Sequence, residues 1–299
     1  MGTMHADEAT TDDGLVRRLV GDQFPEWADL PVRRLASGGT TNAIYRVGDE
    51  LTARLPLTAS GAAGIAEEAR WLTALAPLVP AEIPAVVGLG KPGAGYPHAW
   101  SVHRWIEGDV LVEGQVGLGL ARDLARFVTA MRAVDLDGGP LAHRGARPLA
   151  DADAATRSAI QALRETDELV DVDAALAAWE AAVAIPPWSG PPRWTHCDLM
   201  PSNLLGSDGR LAAVLDFGTA GLGDPATDLI PAWGLLEPPA RAEFRAHVDA
   251  DDDMWGRGRG WALSMALVQL PYYRRTNPVI SANARYVVDR VLSGQQHCR

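Results

Sequence analysis

The sequence predicts an α+β chain of two lobes: a small antiparallel-sheet N-lobe carrying one helix, and a larger, mostly helical C-lobe. Three observations lead there. Over the first hundred residues, short apolar runs recur between turn-forming residues, as they do in hairpins. After Gly108 the texture becomes Ala- and Leu-rich, with apolar residues at helical spacing. The chain's 299 residues are enough to bury two modest cores. The division is expected at residues 1–105 and 106–299, with a hinge at about 103–108, within RWIEG.

In chain order, residues 13–30 read as a short amphipathic helix with Leu15, Leu19 and Val20 on one side. The stretch LASGGTTNAIYRVGDELTARLP (35–56) reads as strand, small-residue loop, strand, tight turn at Gly48–Asp49, strand. Residues 64–78 follow as a helix, with Ile65, Leu72 and Leu75 at helical spacing. Two apolar runs, 83–89 and 98–106, are strands joined by the turn-rich GKPGAGYP. Beyond the hinge, 113–134 and 151–184 are helical, and IPPWSGPP (185–192) ends that section. Residues 203–206 and 210–215 flank SDG as a hairpin, and helices close the chain at 237–249, 254–273 and about 281–293.

A formal net charge of −11 disfavours binding to nucleic acid and to anionic membranes, and favours cationic ligands. The two cysteines, Cys197 and Cys298, have the spacing of neither a disulfide framework nor a zinc site. No apolar run approaches the ~20 residues that span a bilayer. The opening MGTMHADEATTDDG is polar and acidic, unlike a secretory leader, and its first dozen residues read as disordered. These features point to a cytoplasmic protein without nucleic-acid or membrane partners, and leave its oligomeric state open.

The chemistry is concentrated in HCDLMPSN (196–203) and in DFG (216–218), which begins thirteen residues after Asn203. Singly, a His, an Asp at a turn and an Asn at a cap are ordinary structural residues. Together, H-x-D-x-x-x-x-N, a short hairpin and D-F-G match the catalytic loop and metal-binding segment of kinase-like phosphotransferases. Phosphoryl transfer needs the acceptor hydroxyl aimed in line and the phosphate charge neutralised. Asp198 is then the carboxylate that orients the hydroxyl or takes its proton. Asn203 and Asp216 supply the oxygen ligands that Mg²⁺ requires. His196 braces the loop, and Cys197 packs on its other side.

On these residues the chain resembles the aminoglycoside phosphotransferase family, antibiotic kinases with a protein-kinase-like fold. TAGLGDPATDL (219–229) extends the resemblance, since GDP-x-x-D-L closes the family's metal segment. Where the family often has His before the Pro of the loop, this chain has Met200. The resemblance spans about 35–295 and is strongest over 194–229.

It also implies the nucleotide site, for ATP or GTP with Mg²⁺. SGGTTN (37–42), with Ser37, Gly38, Thr40, Thr41 and Asn42, becomes the loop over the phosphates, since a small-residue turn lets backbone N–H groups approach phosphate oxygens. The expected Lys of the next strand is replaced by Arg54, which is permanently charged and bidentate. Its helical partner is Glu68 or Glu67. Adenine would be read by backbone groups at Arg104 and Ile106. GLGKPG (88–93) fits G-x-G-x-x-G, but Pro92 and a further strand follow it where a dinucleotide fingerprint needs a helix.

The implied partner is a small-molecule hydroxyl acceptor, cationic if it is an aminoglycoside. Candidates to receive it are Asp198 itself, Glu237, Asp252, Trp255 and Tyr272, with Asp249, Asp251, Asp253, Trp233 and Tyr273 nearby. The acids of DADDDMW (249–255) equally suit a helix N-terminus. The leading function is a kinase of an aminoglycoside or related antibiotic. The alternatives are a kinase of the same fold acting on an amino sugar, choline or homoserine, and a nucleotide-binding pseudokinase. The absence of A-P-E after DFG counts against a protein kinase.

Overall fold

The computed structural model describes residues 8–35, 41–166 and 168–293. Contacts divide the chain into two compact units. The first runs to Pro77 and takes in Glu82–Glu107; the second begins at Gly108 and also holds Leu78–Ala81.

The first unit is built on one five-stranded antiparallel sheet. Helix α1 (Asp13–Gln23) precedes β1 (Val32–Arg34), β2 (Asn42–Val47) and β3 (Leu51–Pro56), then α2 (Ala59–Ala62), α3 (Ile65–Leu75), β4 (Val86–Gly90) and β5 (Trp100–Arg104). The strand order is β1-β2-β3-β5-β4. Alternation in the strands separates two faces. Ala43, Tyr45 and Val47 of β2 and Leu51, Ala53 and Leu55 of β3 join Leu15, Val16, Leu19 and Val20 of α1 in one core cluster. Arg54, between two of these positions, faces the other way, toward α3.

Three expectations for this unit need correction. The sheet carries two long helices, not one, because α1 docks on it. Helix α1 also stops at Gln23, short of residue 30, because Pro25 disfavours helical backbone at Phe24 and lacks an N–H; a 3₁₀ turn, Pro25–Trp27, follows. Residues 8–12, expected to be disordered, are anchored. Ala9 donates to the Leu57 carbonyl at 2.8 Å, and Asp12 caps α1 by accepting from the Leu15 amide. Residues 1–7 lie outside the described residues. The glycine-rich decoy GLGKPG, expected as a turn, begins as strand, with Gly88–Gly90 ending β4, and leads into the turn at its end: Gly93 and Tyr96 exchange backbone bonds across Ala94 and Gly95, both at positive φ.

The second unit is mostly helical. In chain order it contains β6 (Asp109–Val110), α4 (Leu118–Ala133), α5 (Asp153–Arg164), α6 (Val172–Val183), β7 (Arg193–Thr195), β8 (Leu204–Ser207), β9 (Arg210–Val214) and β10 (Gly221–Gly223), then α7 (Pro231–Gly234), α8 (Pro238–Val248), α9 (Asp252–Tyr273) and α10 (Pro278–Ser293). Helix α9 packs against α5, α6, α7 and α10, and its polar face is correspondingly lost. The helix expected over 113–134 starts only at Leu118, after Gly114 at positive φ and Gly117 at the cap. The span 151–184 is two helices, the second capped by Asp171, which accepts from the Ala174 amide. Two small sheets, β6-β8-β9 and β7-β10, present the loops that carry the motif. The expected hairpin is β8–β9, turned by Asp208 and Gly209 at positive φ.

Candidate active site

Strand β7 delivers the chain into His196–Asp198, and β8 takes it away after a 3₁₀ turn, Pro201–Asn203. The loop is held by its own polar groups. Asn203 Nδ2 donates to the Asp198 carbonyl at 2.8 Å and to Asp198 Oδ2 at 3.0 Å. The Asn203 carbonyl accepts from the Leu215 amide at 2.8 Å, which ties the loop to the end of β9, one residue before Asp216. Asp216 is half-buried and adopts left-handed backbone, φ 61°, at the turn into Phe217–Thr219.

His196 is a brace, as the sequence suggested. Its Nε2 must donate to the Leu215 carbonyl at 2.9 Å, because a carbonyl only accepts. That leaves Nδ1 to accept the Asp198 amide at 3.3 Å. The ring also meets Phe217 edge-on at 4.7 Å, so the His196–Asn203 loop and the DFG segment pack through one imidazole.

Beneath them lies a carboxylate to which the sequence analysis assigned no role. Asp228, the last acid of GDPATDL, is 1% exposed. It accepts the His196 amide with both oxygens, at 3.0 and 2.9 Å, and the Cys197 amide at 2.8 Å. These bonds bend the chain at Cys197, whose φ is +64°, a region costly for a side chain larger than glycine's. The Cys197 thiol is fully buried, and burial, with the Asp228 charge beside it, pushes its pKa up to about 11. It is a packing group, neither nucleophile nor ligand. Asp224 of the same motif forms a buried ion pair with Arg257 of α9 at 2.8 Å and caps the turn Pro225–Leu229.

Asp198 is desolvated, and this is the main influence pushing its pKa above the ordinary carboxylate range. Arg144 is the strongest opposing influence, and Asp216 adds a like-charge push. Arg144 Nη1 lies 3.5 Å from Asp198 Oδ1. Sequence reasoning missed this cation, which stands 54 residues upstream in no motif.

In the first unit, Arg54 Nη1 meets Glu68 Oε1 of α3 at 2.9 Å, both side chains mostly buried. Of the two candidate acids it is Glu68 that reaches the strand; Glu67 is exposed. Thr41 and Asn42 sit at the start of β2, where the Thr41 carbonyl accepts from the Leu57 amide at 2.8 Å. Ser37, Gly38 and Thr40 lie outside the described residues. The Arg104 amide donates to the Ala85 carbonyl at 2.9 Å, and Ile106 is buried beyond the end of β5.

The proposed acceptor residues do not converge. Asp252 and Tyr272 are twenty residues apart on α9, about 30 Å at 1.5 Å per residue. Asp252 is 96% exposed and pairs with Arg245, while Asp251 caps the helix at Met254. Trp255 is packed among Trp233, Phe244 and the Arg245 guanidinium. Glu237 is engaged by Tyr286 and Arg290 of α10. These acids serve caps and helix packing. Directly after Asp198, however, Leu199, Met200 and Pro201 line a small, mainly apolar pocket with Ile230, Met265 and Gln269.

Residues 32–261 match the phosphotransferase enzyme family. Among solved structures, a point mutant of an aminoglycoside 2′-phosphotransferase in complex with GDP is 19% identical, with a TM-score of 0.76 over 95% of this chain and 99% of its own. A related structure described as the GDP and kanamycin complex of a 2″-enzyme gives 0.71 at 18% identity, over 93% and 98%. The apoenzyme of a macrolide 2′-phosphotransferase from Brachybacterium faecium gives 0.60 at 21% identity, over 94% and 97%. At such identities these likenesses establish the fold. No curated protein matches the chain.

Proposed function

Because the chain belongs to the phosphotransferase enzyme family, we propose that it transfers the γ-phosphoryl group of ATP or GTP to a hydroxyl of an aminoglycoside or related antibiotic. The observation that carries this reading is the carboxylate of Asp198. It is desolvated and held by Asn203 on one oxygen, with Arg144 near the other, on a loop tied to the segment that bears Asp216. That arrangement suits a group that aims an acceptor hydroxyl and takes its proton. The first unit is assigned the nucleotide, with Arg54 braced by Glu68 for its phosphates, and the second unit the transfer.

Asn203 and Asp216 fit Mg²⁺. With Asn203 Nδ2 spent on Asp198, its Oδ1 remains for a hard cation, and Asp216 adds a carboxylate. When bound, the cation neutralises phosphate charge; the protein's own part is to hold these oxygens and keep Asp198 oriented.

The test is incubation of purified protein with Mg²⁺, ATP or GTP, and a panel of aminoglycosides, macrolides and amino sugars. Nucleoside diphosphate release is measured together with product mass. The expected result is an acceptor-dependent gain of one phosphoryl group; nucleotide binding without transfer to any acceptor would move the reading to a pseudokinase. Asp216→Ala is expected to shift the Mg²⁺ concentration dependence at least about tenfold, and an unchanged dependence would contradict the metal assignment. Arg54→Ala is expected to raise the nucleotide KM about tenfold, equivalent to ~1.4 kcal/mol. A rise confined to the acceptor KM would place Arg54 at the other site.

A further inference from the structure

We propose that Arg144 is a positioning residue for the transfer, its guanidinium holding Asp198 in the orientation from which it receives the acceptor hydroxyl. The inference rests on the reading of Asp198 given above and concerns a residue outside every motif of the sequence.

The backbone around Arg144 is clamped. The Leu222 amide donates to the Pro140 carbonyl at 2.8 Å, the Ala142 amide to the Leu222 carbonyl at 3.2 Å, the His143 amide to the Thr219 carbonyl at 3.1 Å, and the Asp224 amide to the Gly145 carbonyl at 2.8 Å. The two segments approach so closely that glycine is required on both. A Cβ at Gly221 would stand 2.5 Å from the Pro140 carbonyl oxygen, and one at Gly145, where φ is +78°, would stand 2.7 Å from Thr227 Cγ2. Arg144 is thus fixed against the segment that follows DFG, and its side chain projects from a rigid base.

The side chain then meets the catalytic loop at successive residues. Nη1 donates to the Cys197 carbonyl at 3.3 Å, and the Cys197 thiol donates back to the Arg144 carbonyl at 3.4 Å. The same nitrogen lies 3.5 Å from Asp198 Oδ1. That separation is an ion pair and too long for a strong hydrogen bond. With Oδ2 accepting from Asn203 at 3.0 Å, the carboxylate is oriented from both sides while Oδ1 keeps lone pairs open. A tight bidentate clamp would orient Asp198 equally well but would occupy the oxygen that the hydroxyl needs.

The test uses Arg144→Ala and Arg144→Lys in the full chain, each checked for folding by thermal unfolding. In the acceptor-dependent assay, Arg144→Ala is expected to lose about 10- to 100-fold in kcat, with the nucleotide KM within about twofold of wild type. Arg144→Lys, which keeps the charge, should recover part of the loss, and millimolar guanidinium should partly rescue Arg144→Ala. In an Asp198→Asn background the Arg144→Ala change should cost less than about twofold, because the two side chains act as a unit. Wild-type kcat in Arg144→Ala, or a full additive loss with no guanidinium rescue, would overturn the proposal. A wild-type protein that transfers phosphoryl to no acceptor would instead remove the kinase reading. The contact itself is then read without turnover, from the nitrogen-15 signals of the Arg144 guanidinium. They move in Asp198→Asn if the pair exists, and stay in place if it does not.

Discussion

Asp198→Ala is expected to lower phosphoryl transfer about 10³-fold, the scale on which a positioned general base contributes, while nucleotide affinity stays within about twofold of wild type. The physical reason lies in how the carboxylate is placed. It is held through Asn203 and Arg144, on a loop braced by His196 and Asp228. Removing it deletes the group that aims the hydroxyl and leaves the rest of the loop bonded. Folding should tolerate the change, because the charge that is lost is one that burial already disfavours. The check is acceptor-dependent diphosphate release together with a nucleotide titration of the same preparation. Turnover like that of wild type would remove Asp198 from the mechanism.

The second large effect belongs to Asp228. Asp228→Ala is expected to destabilise the protein by about 3 kcal/mol, because it leaves the buried His196 and Cys197 amides without their acceptor, each at ~1–3 kcal/mol. It should also reduce transfer, since those amides, held by Asp228, fix the left-handed turn at Cys197 that leads into Asp198. Asp228→Asn retains one oxygen and should fall between alanine and wild type. Urea unfolding midpoints with an unchanged slope measure the first effect, and the transfer assay the second. A midpoint indistinguishable from wild type would mean that these amides find other partners, and would remove Asp228 from the framework of the loop.

The strip from 198 to 216 was legible because its pattern is local. Asp198, Asn203 and Asp216 fall within nineteen residues, and the hairpin between them carries its own turn signal at Asp208–Gly209. Arg54 was found through the resemblance, as the cation standing where the family's strand has Lys. The acceptor residues were not legible. Acids and aromatics near a helix start look alike whether they cap, pack or bind, and here Asp251 caps, Asp252 pairs with Arg245 and Trp255 packs.

The sequence by itself determined the α+β class, the strands and most helices, and the short strip that bears Asp198, Asn203 and Asp216, because periodicity and motif spacing act over a few turns of chain. Only the tertiary structure decided that Glu68, and not Glu67, meets Arg54, that Asp228 sets the turn under Cys197, and that Arg144 stands beside Asp198. The last two contacts join residues 31 and 54 positions apart. They depend on how β7, β10 and the Pro140–Gly145 segment come into register, which no local pattern encodes. The glycines at 145 and 221 are its nearest trace: each leaves room for a backbone that the sequence does not identify.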